Sequence, residues 1–169
     1  MPQFDAARGQ ADAAMTLADG ALHRTGLQWL RDAMDGTTPV PPFVHELGIR
    51  LERADRGLVI GSFEPRQFHL NGLATVHGGV LATLADTVAS CAVLSIAPVG
   101  VVTPTLEMKI NFLRPATMAS GTLTAEGRLI SSGRTTALAE ARISDAHGKQ
   151  ISHATVTCTL IAVQPEDLG

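Results

Sequence analysis

Residues 69–90 read HLNGLATVHGGVLATLADTVAS. Between Arg66 and Glu107 the only formally charged residue is Asp86, in the middle of the most apolar part of the chain. The run has no period-two alternation, is rich in alanine and is long. Those features predict a helix from about His77 to Ser95 rather than a strand. It is apolar nearly all round, so it is expected to be buried on nearly every side.

Working outward, the flanks read differently. Residues 25–35, TGLQWLRDAMD, place Leu27, Leu30 and Met34 at helical spacing behind Thr25 as a candidate N-cap. Gly36 and the prolines at 41 and 42 end that helix. Strands are predicted at His45–Arg53 and Gly57–Glu64, joined by a polar turn. Asn71-Gly72 marks a turn before the long helix. In Thr105–Leu113 the apolar Leu106, Met108, Ile110 and Phe112 alternate with Thr105, Glu107, Lys109 and Asn111. That alternation predicts a half-buried strand. Strands at Met118–Ile130, Thr135–Asp145 and Gln150–Val163 follow, separated by turn signals at Ser132-Gly133 and His147-Gly148. Two strands, a buried helix and about four strands in an antiparallel meander predict an α+β domain, with a sheet around one long helix.

Composition narrows the function classes. The chain has 169 residues, 45% hydrophobic and 17% charged, with net charge −3 and no tyrosine. It fits one folded domain and offers neither the basic patch nor the aromatic platform of a nucleic-acid binder. The N-terminus lacks the basic start and apolar run of a signal peptide, so a cytoplasmic protein is expected. Val76–Val102 is not read as a membrane span. Its centre is Asp86, and an Asp in mid-bilayer costs about 2.5–3.5 kcal/mol. Cys91 and Cys158 lie in apolar surroundings and read as buried thiols, with a disulfide left open. The histidines show no metal-ligand spacing.

The lone carboxylate has two readings. It is either hydrogen-bonded to neighbours such as Thr83, Thr87 and Ser90, or it is reactive. Asp is a poor helix-interior residue. Gly79, Ala82, Thr83, Asp86 and Ser90 share one face, all small enough for a ligand or second backbone to approach. The helix opens on Gly78-Gly79, whose amides lack intrahelical partners and attract an oxyanion. Gly78 and Asp86 are eight residues apart, about 12 Å along a helix axis. A base and an oxyanion donor must both lie about 3 Å from adjacent reacting atoms. One helix cannot easily do both for one substrate. Two antiparallel copies can, which points to a two-fold dimer with shared sites.

The block N-G-x-x-x-x-H-G-G-x-x-x-x-L-x-D, Asn71 to Asp86, resembles the hotdog-fold acyl-CoA thioesterases of the phenylacetate-degradation (PaaI-type) group. LGIRLERADRGLVIGSFEP resembles that family's first hairpin, TPTLEMKINFLRPA its third strand, and SSGRTTALAEARISDAHGKQISHATVTCTL its closing hairpins. The resemblance spans roughly residues 26–163 as one domain, with 1–25 as a flexible or weakly helical extension and 164–169 as a tail. It implies a hotdog fold, dimers or tetramers, and hydrolysis of an acyl-CoA at the dimer interface. No cofactor is implied beyond the coenzyme A carried by the substrate.

On that resemblance Asp86 is the general base or nucleophile, and the Gly78 amide polarises the carbonyl. Asn71 and His77 shape the site from the partner subunit, and Thr105 orients the carboxylate or water. Arg134, after the Ser132-Gly133 turn, is placed to meet a CoA phosphate. A hotdog hydratase would need an Asp-His pair whose motif is not seen here. A non-catalytic acyl-CoA sensor is the alternative. Aryl-acetyl, short-chain and medium-chain acyl groups are all compatible with the sequence, and its low aromatic content weighs against heavy ring stacking.

Overall fold

The computed structural model describes residues 20–164. The expectation for residues 1–19 and most of the C-terminal tail lie outside the described residues. The elements are helices α1 (Gly26–Met34), α2 (Pro42–Leu47) and α3 (Gly78–Leu94), and strands β1 (Ile49–Asp55), β2 (Leu58–Phe63), β3 (Val101–Val102), β4 (Thr105–Phe112), β5 (Leu123–Ser132), β6 (Thr136–Ser144), β7 (Gln150–Thr159) and β8 (Ile161–Ala162). Six strands form one antiparallel sheet in the order β1-β2-β5-β6-β7-β4. Helix α3 packs across one face of it, burying Leu84, Val88 and Val93 against Phe63, Leu123, Ile143 and Val156. This is the expected α+β hotdog arrangement.

Close approach explains why α3 seats where it does. A Cβ on Gly127 of β5 would stand 2.0 Å from the Val88 carbonyl oxygen. Only glycine lets the helix backbone rest on that strand. Helix α1 docks the same way on the far end of α3. Its N-cap Thr25 and Gln28 form a capping box. The Gly26 amide donates to the Ala97 carbonyl at 3.1 Å, and a Cβ on Gly26 would collide with the Leu94 carbonyl.

Several expectations change. The strand expected at His45–Arg53 starts at Ile49, because Pro42–Leu47 is a helix. Proline at its first turn suits it, and Gly48 closes it at φ 71°. The strand expected at Met118 starts at Leu123, after a 3₁₀ turn at Met118–Ser120. The last strand is cut at Thr159, and Ile161–Ala162 pairs instead with Val101–Val102. The meander is broken too: β4 crosses to the far edge beside β7, while β2 pairs with β5.

The apolar row of β4 is not half-buried as expected. Leu106 is 64% exposed and Phe112 52%, with only Met108 and Ile110 partly covered. As an edge strand, β4 is only partly covered by the chain's single long helix: Thr105 reaches Asp86 and Met108 and Ile110 touch the core, while the ends of the row stay open. Nor is α3 covered all round. The face carrying Gly79, Ala82, Thr83, Asp86 and Ser90 stays open or half-open, while Leu81, Leu84, Ala85, Val88, Ala89 and Ala92 are buried. No described helix is long and apolar enough to cross a membrane.

Candidate active site

Asp86 sits two turns into α3 on its open face, half-buried. The three neighbouring hydroxyls do not serve it. Thr83 donates to the Gly79 carbonyl (2.9 Å), Thr87 to Thr83 (2.7 Å) and Ser90 to Thr87 (3.2 Å). Back-bonding of this kind uses up each hydroxyl proton. The carboxylate is instead held from across the sheet edge, where Thr105 Oγ1 donates to Asp86 Oδ1 over 2.8 Å. Thr105 is the first residue of β4, opposite Cys158, next to an irregularity in the ladder. No described cation pairs with Asp86.

The carboxylate opens onto an apolar cleft of about 180 Å³ between α3 and the α1–α2 segment. Trp29, Val40, Phe43, Leu51 and Leu94 contribute its walls. Cys91 lies in the same cleft. Burial and the negative charge of Asp86 push its thiol up to about 12, and burial likewise pushes Cys158 up to about 11. Both cysteines are free. Both therefore stand as neutral thiols at neutral pH.

The start of α3 is organised separately. His77 is the N-cap, and its Nδ1 accepts from the Gly79 amide at 2.9 Å. The Val80 and Leu81 amides donate to the His77 carbonyl. The Gly78 amide has no part in these bonds and no acceptor among the described residues, which leaves it as a donor at the positive end of the helix. Asn71 orders the preceding loop. Its Oδ1 accepts from the Leu73 amide (2.9 Å) and its Nδ2 donates to Thr75 (3.0 Å). The left-handed residue of that loop is Ala74, at φ 56°. Beneath the loop, buried His69 accepts from the Arg66 amide through Nδ1 (2.9 Å). Burial and then the Arg66 charge keep its pKa below the usual histidine value.

The structure therefore divides the six anticipated residues into groups. Asp86 and Thr105 are bonded to each other at the apolar cleft. Asn71 and Gly78 line a second cleft of about 330 Å³, with Phe112, Leu113 and Arg114. His77 caps the helix at the edge of that second group. Arg134 is exposed in the β5–β6 turn, apart from both clefts and without a described ion pair. The walls supplied by Trp29, Val40 and Phe43 were not anticipated. The helix carrying Trp29 was legible, but nothing in its sequence told which surface it would cover.

A long helix packed on a six-stranded antiparallel sheet defines the hotdog class of fold. The thioesterase-superfamily model matches residues 73–152. A candidate esterase of Halobacterium salinarum is 33% identical over 120 residues, spanning 64% of this chain and 78% of that protein. Human acyl-coenzyme A thioesterase 13 is 29% identical over 127 residues, spanning 74% of this chain and 89% of that one. The Escherichia coli PaaI protein of the phenylacetic acid degradation operon superposes with a TM-score of 0.71 at 25% identity, covering 80% of this chain and 96% of that one. The chain belongs to the thioesterase superfamily, among the thioester hydrolases of PaaI type.

Proposed function

We propose that this chain hydrolyses an acyl-CoA thioester to a free acid and coenzyme A, with Asp86 as its reactive carboxylate. The observation that carries this reading is the setting of Asp86. It is half-buried, unpaired with any described cation, aimed by Thr105, and part of the lining of an apolar cleft. A structural acid would have spent its lone pairs on the neighbouring hydroxyls and amides. The acyl-coenzyme A named for the human relative supports the leaving group. Coenzyme A enters as part of the substrate, and no further cofactor takes part.

In the proposed reaction Asp86 accepts a proton from water, and the water oxygen attacks the thioester carbonyl carbon. The tetrahedral oxyanion is stabilised by the Gly78 amide. The carbon–sulfur bond then breaks, and the thiolate takes up the proton. A thioester is an activated acyl group, so one carboxylate and one donor suffice.

Two chains build each site. The Asp86 and Gly78 clefts of one chain have no lining residue in common, which supports a two-fold dimer in which the Gly78 end of one α3 faces Asp86 of the other. The exposed apolar row of β4 and the open face of α3 are the surfaces such a partner would cover. In that arrangement Asn71 and His77 contribute from the partner, and a tetramer forms as a pair of dimers. Arg134, free at the surface, holds a CoA phosphate.

Asp86→Asn tests the assignment. It is expected to leave the circular dichroism spectrum unchanged and to cut thiol release from acyl-CoA at least a hundredfold. Near-normal turnover would remove Asp86 from the chemistry. Tight acyl-CoA binding by the unaltered protein with no thiol release would favour the sensor reading.

A further inference from the structure

We infer that Trp29 and Phe43, on the two short helices ahead of the sheet, close the far end of the Asp86 cleft and limit the substrate to an uncharged acyl group of about six to eight carbons. This rests on the proposed hydrolysis and specifies its substrate class. The size follows from volume. An apolar protein cavity of about 150 Å³ takes one benzene. The Asp86 cleft measures about 180 Å³, enough for that group and one or two further carbons. Its carbonyl end would stop at Asp86, and its tail would meet the indole of Trp29 and the ring of Phe43.

The exclusion of charge follows from the walls. No Lys, Arg or His lines the cleft. Its ionisable members are Asp86 and Cys91, and the Cys91 thiol stays neutral. A carboxylate at the tail of the acyl group would be desolvated among apolar walls with no cation to pair with, which is strongly unfavourable.

The Trp29 side of the cleft is fixed in place. Helix α1 is held by its capping box, by the Gly26–Ala97 hydrogen bond and by glycine contact with α3. Trp29 is 6% exposed in that packing, whereas Phe43 is 48% exposed. The two residues therefore make complementary probes. Trp29→Ala opens the cleft from the core side and stresses the fold, while Phe43→Ala opens it from the solvent side with little effect on folding.

The test uses straight-chain acyl-CoA esters from two to twelve carbons, with thiol release as the readout. Non-hydrolysable thioether analogues of the same lengths are titrated calorimetrically. The unaltered protein is expected to peak at six to eight carbons and to fall at least tenfold in kcat/KM by twelve. Adipyl-CoA is expected to react at least a hundredfold less well than hexanoyl-CoA. Phe43→Ala, and Trp29→Ala where it folds, are expected to move the optimum up by two or more carbons. An optimum unmoved in Phe43→Ala, or equal use of hexanoyl-CoA and dodecanoyl-CoA by the unaltered protein, overturns the inference. If thiol is never released, the hydrolytic reading fails instead, and the length preference of the analogues still decides whether these residues set the limit.

Discussion

Thr105→Val isolates the bond that aims the carboxylate. Valine has the shape of threonine and suits a strand, so β4 and its pairing with Cys158 are retained. What disappears is the 2.8 Å hydrogen bond to Asp86 Oδ1. Hydrogen bonds to charged groups contribute roughly 1.5–3 kcal/mol. Thr105 is exposed in the single chain, so the lower end applies, about 1.5 kcal/mol. At about 1.4 kcal/mol per tenfold in rate, kcat is expected to fall about tenfold. KM should change little, because the bond aims the base and does not hold the substrate. Thermal stability should stay within about 0.5 kcal/mol, as for other exposed substitutions. Thr105→Ser restores the hydroxyl and should restore most of the rate. In the Asp86→Asn background Thr105→Val should cost almost nothing further, since residues acting as a unit are non-additive. Activity of Thr105→Val within twofold of the unaltered protein would refute the reasoning. So would a serine variant as slow as the valine one.

Other perturbations read other parts of the molecule. Arg134→Ala is expected to raise KM at least threefold for CoA esters but not for acyl-pantetheine esters; equal effects on both would remove the phosphate contact. Gly127→Ala pushes a methyl group towards the Val88 carbonyl, 2.0 Å away, and should cost about 3 kcal/mol, lowering Tm by about 6–12 °C. A shift under 2 °C would contradict the close seating of α3. Glu140, bonded to His153 at 2.9 Å, has its pKa lowered by that bond first and by Arg142 as well. A depressed carboxylate stabilises the fold above its ordinary value of 4.5, and that contribution is lost as pH falls through the lowered value. Glu140→Gln should therefore cost about 1 kcal/mol in urea unfolding at pH 7, and progressively less as pH is lowered below 4.5. A cost that does not change with pH would rule out the ion-linked account.

The long helix was legible because nothing competes with its pattern: no proline, no charge but one, and glycines only at its start. The antiparallel strands from 123 onward were legible for a similar reason, each bounded by a strong turn. Burial was harder to read. The alternation of Leu106, Met108, Ile110 and Phe112 correctly marked a strand, yet alternation reports only that one face is apolar. It does not report whether the chain itself covers that face. The order of strands was hidden because β4 and β7 meet through pairing far apart in sequence, which no local signal encodes. The helix at Pro42–Leu47 was lost to the prolines before it, which read as a terminator while also serving as a start. Of the site, Asp86 and Gly78 stood out by chemical contrast with their surroundings. Trp29 and Phe43 had no such contrast, and their role came only from where α1 and α2 fold back.

The same features that misled the burial reading bear on the mechanism. A helix apolar on nearly all sides needs more cover than one six-stranded sheet provides, and here the uncovered face is the one carrying Asp86. An edge strand with a 64% exposed leucine lies on the side from which Thr105 reaches that carboxylate. Left in water, these surfaces would favour association. A second copy that covered them by two-fold symmetry would bring a free Gly78 amide opposite Asp86 without further design, because each chain carries both halves. In the proposed dimer the apolar excess and the chemistry would have one cause, with the chain stable and reactive through the same contact. A charge placed on it, as in Leu106→Glu, should therefore lower oligomer size and thiol release together. Sedimentation velocity and the thiol assay on the same sample would decide it, and a fully active monomer would break the argument.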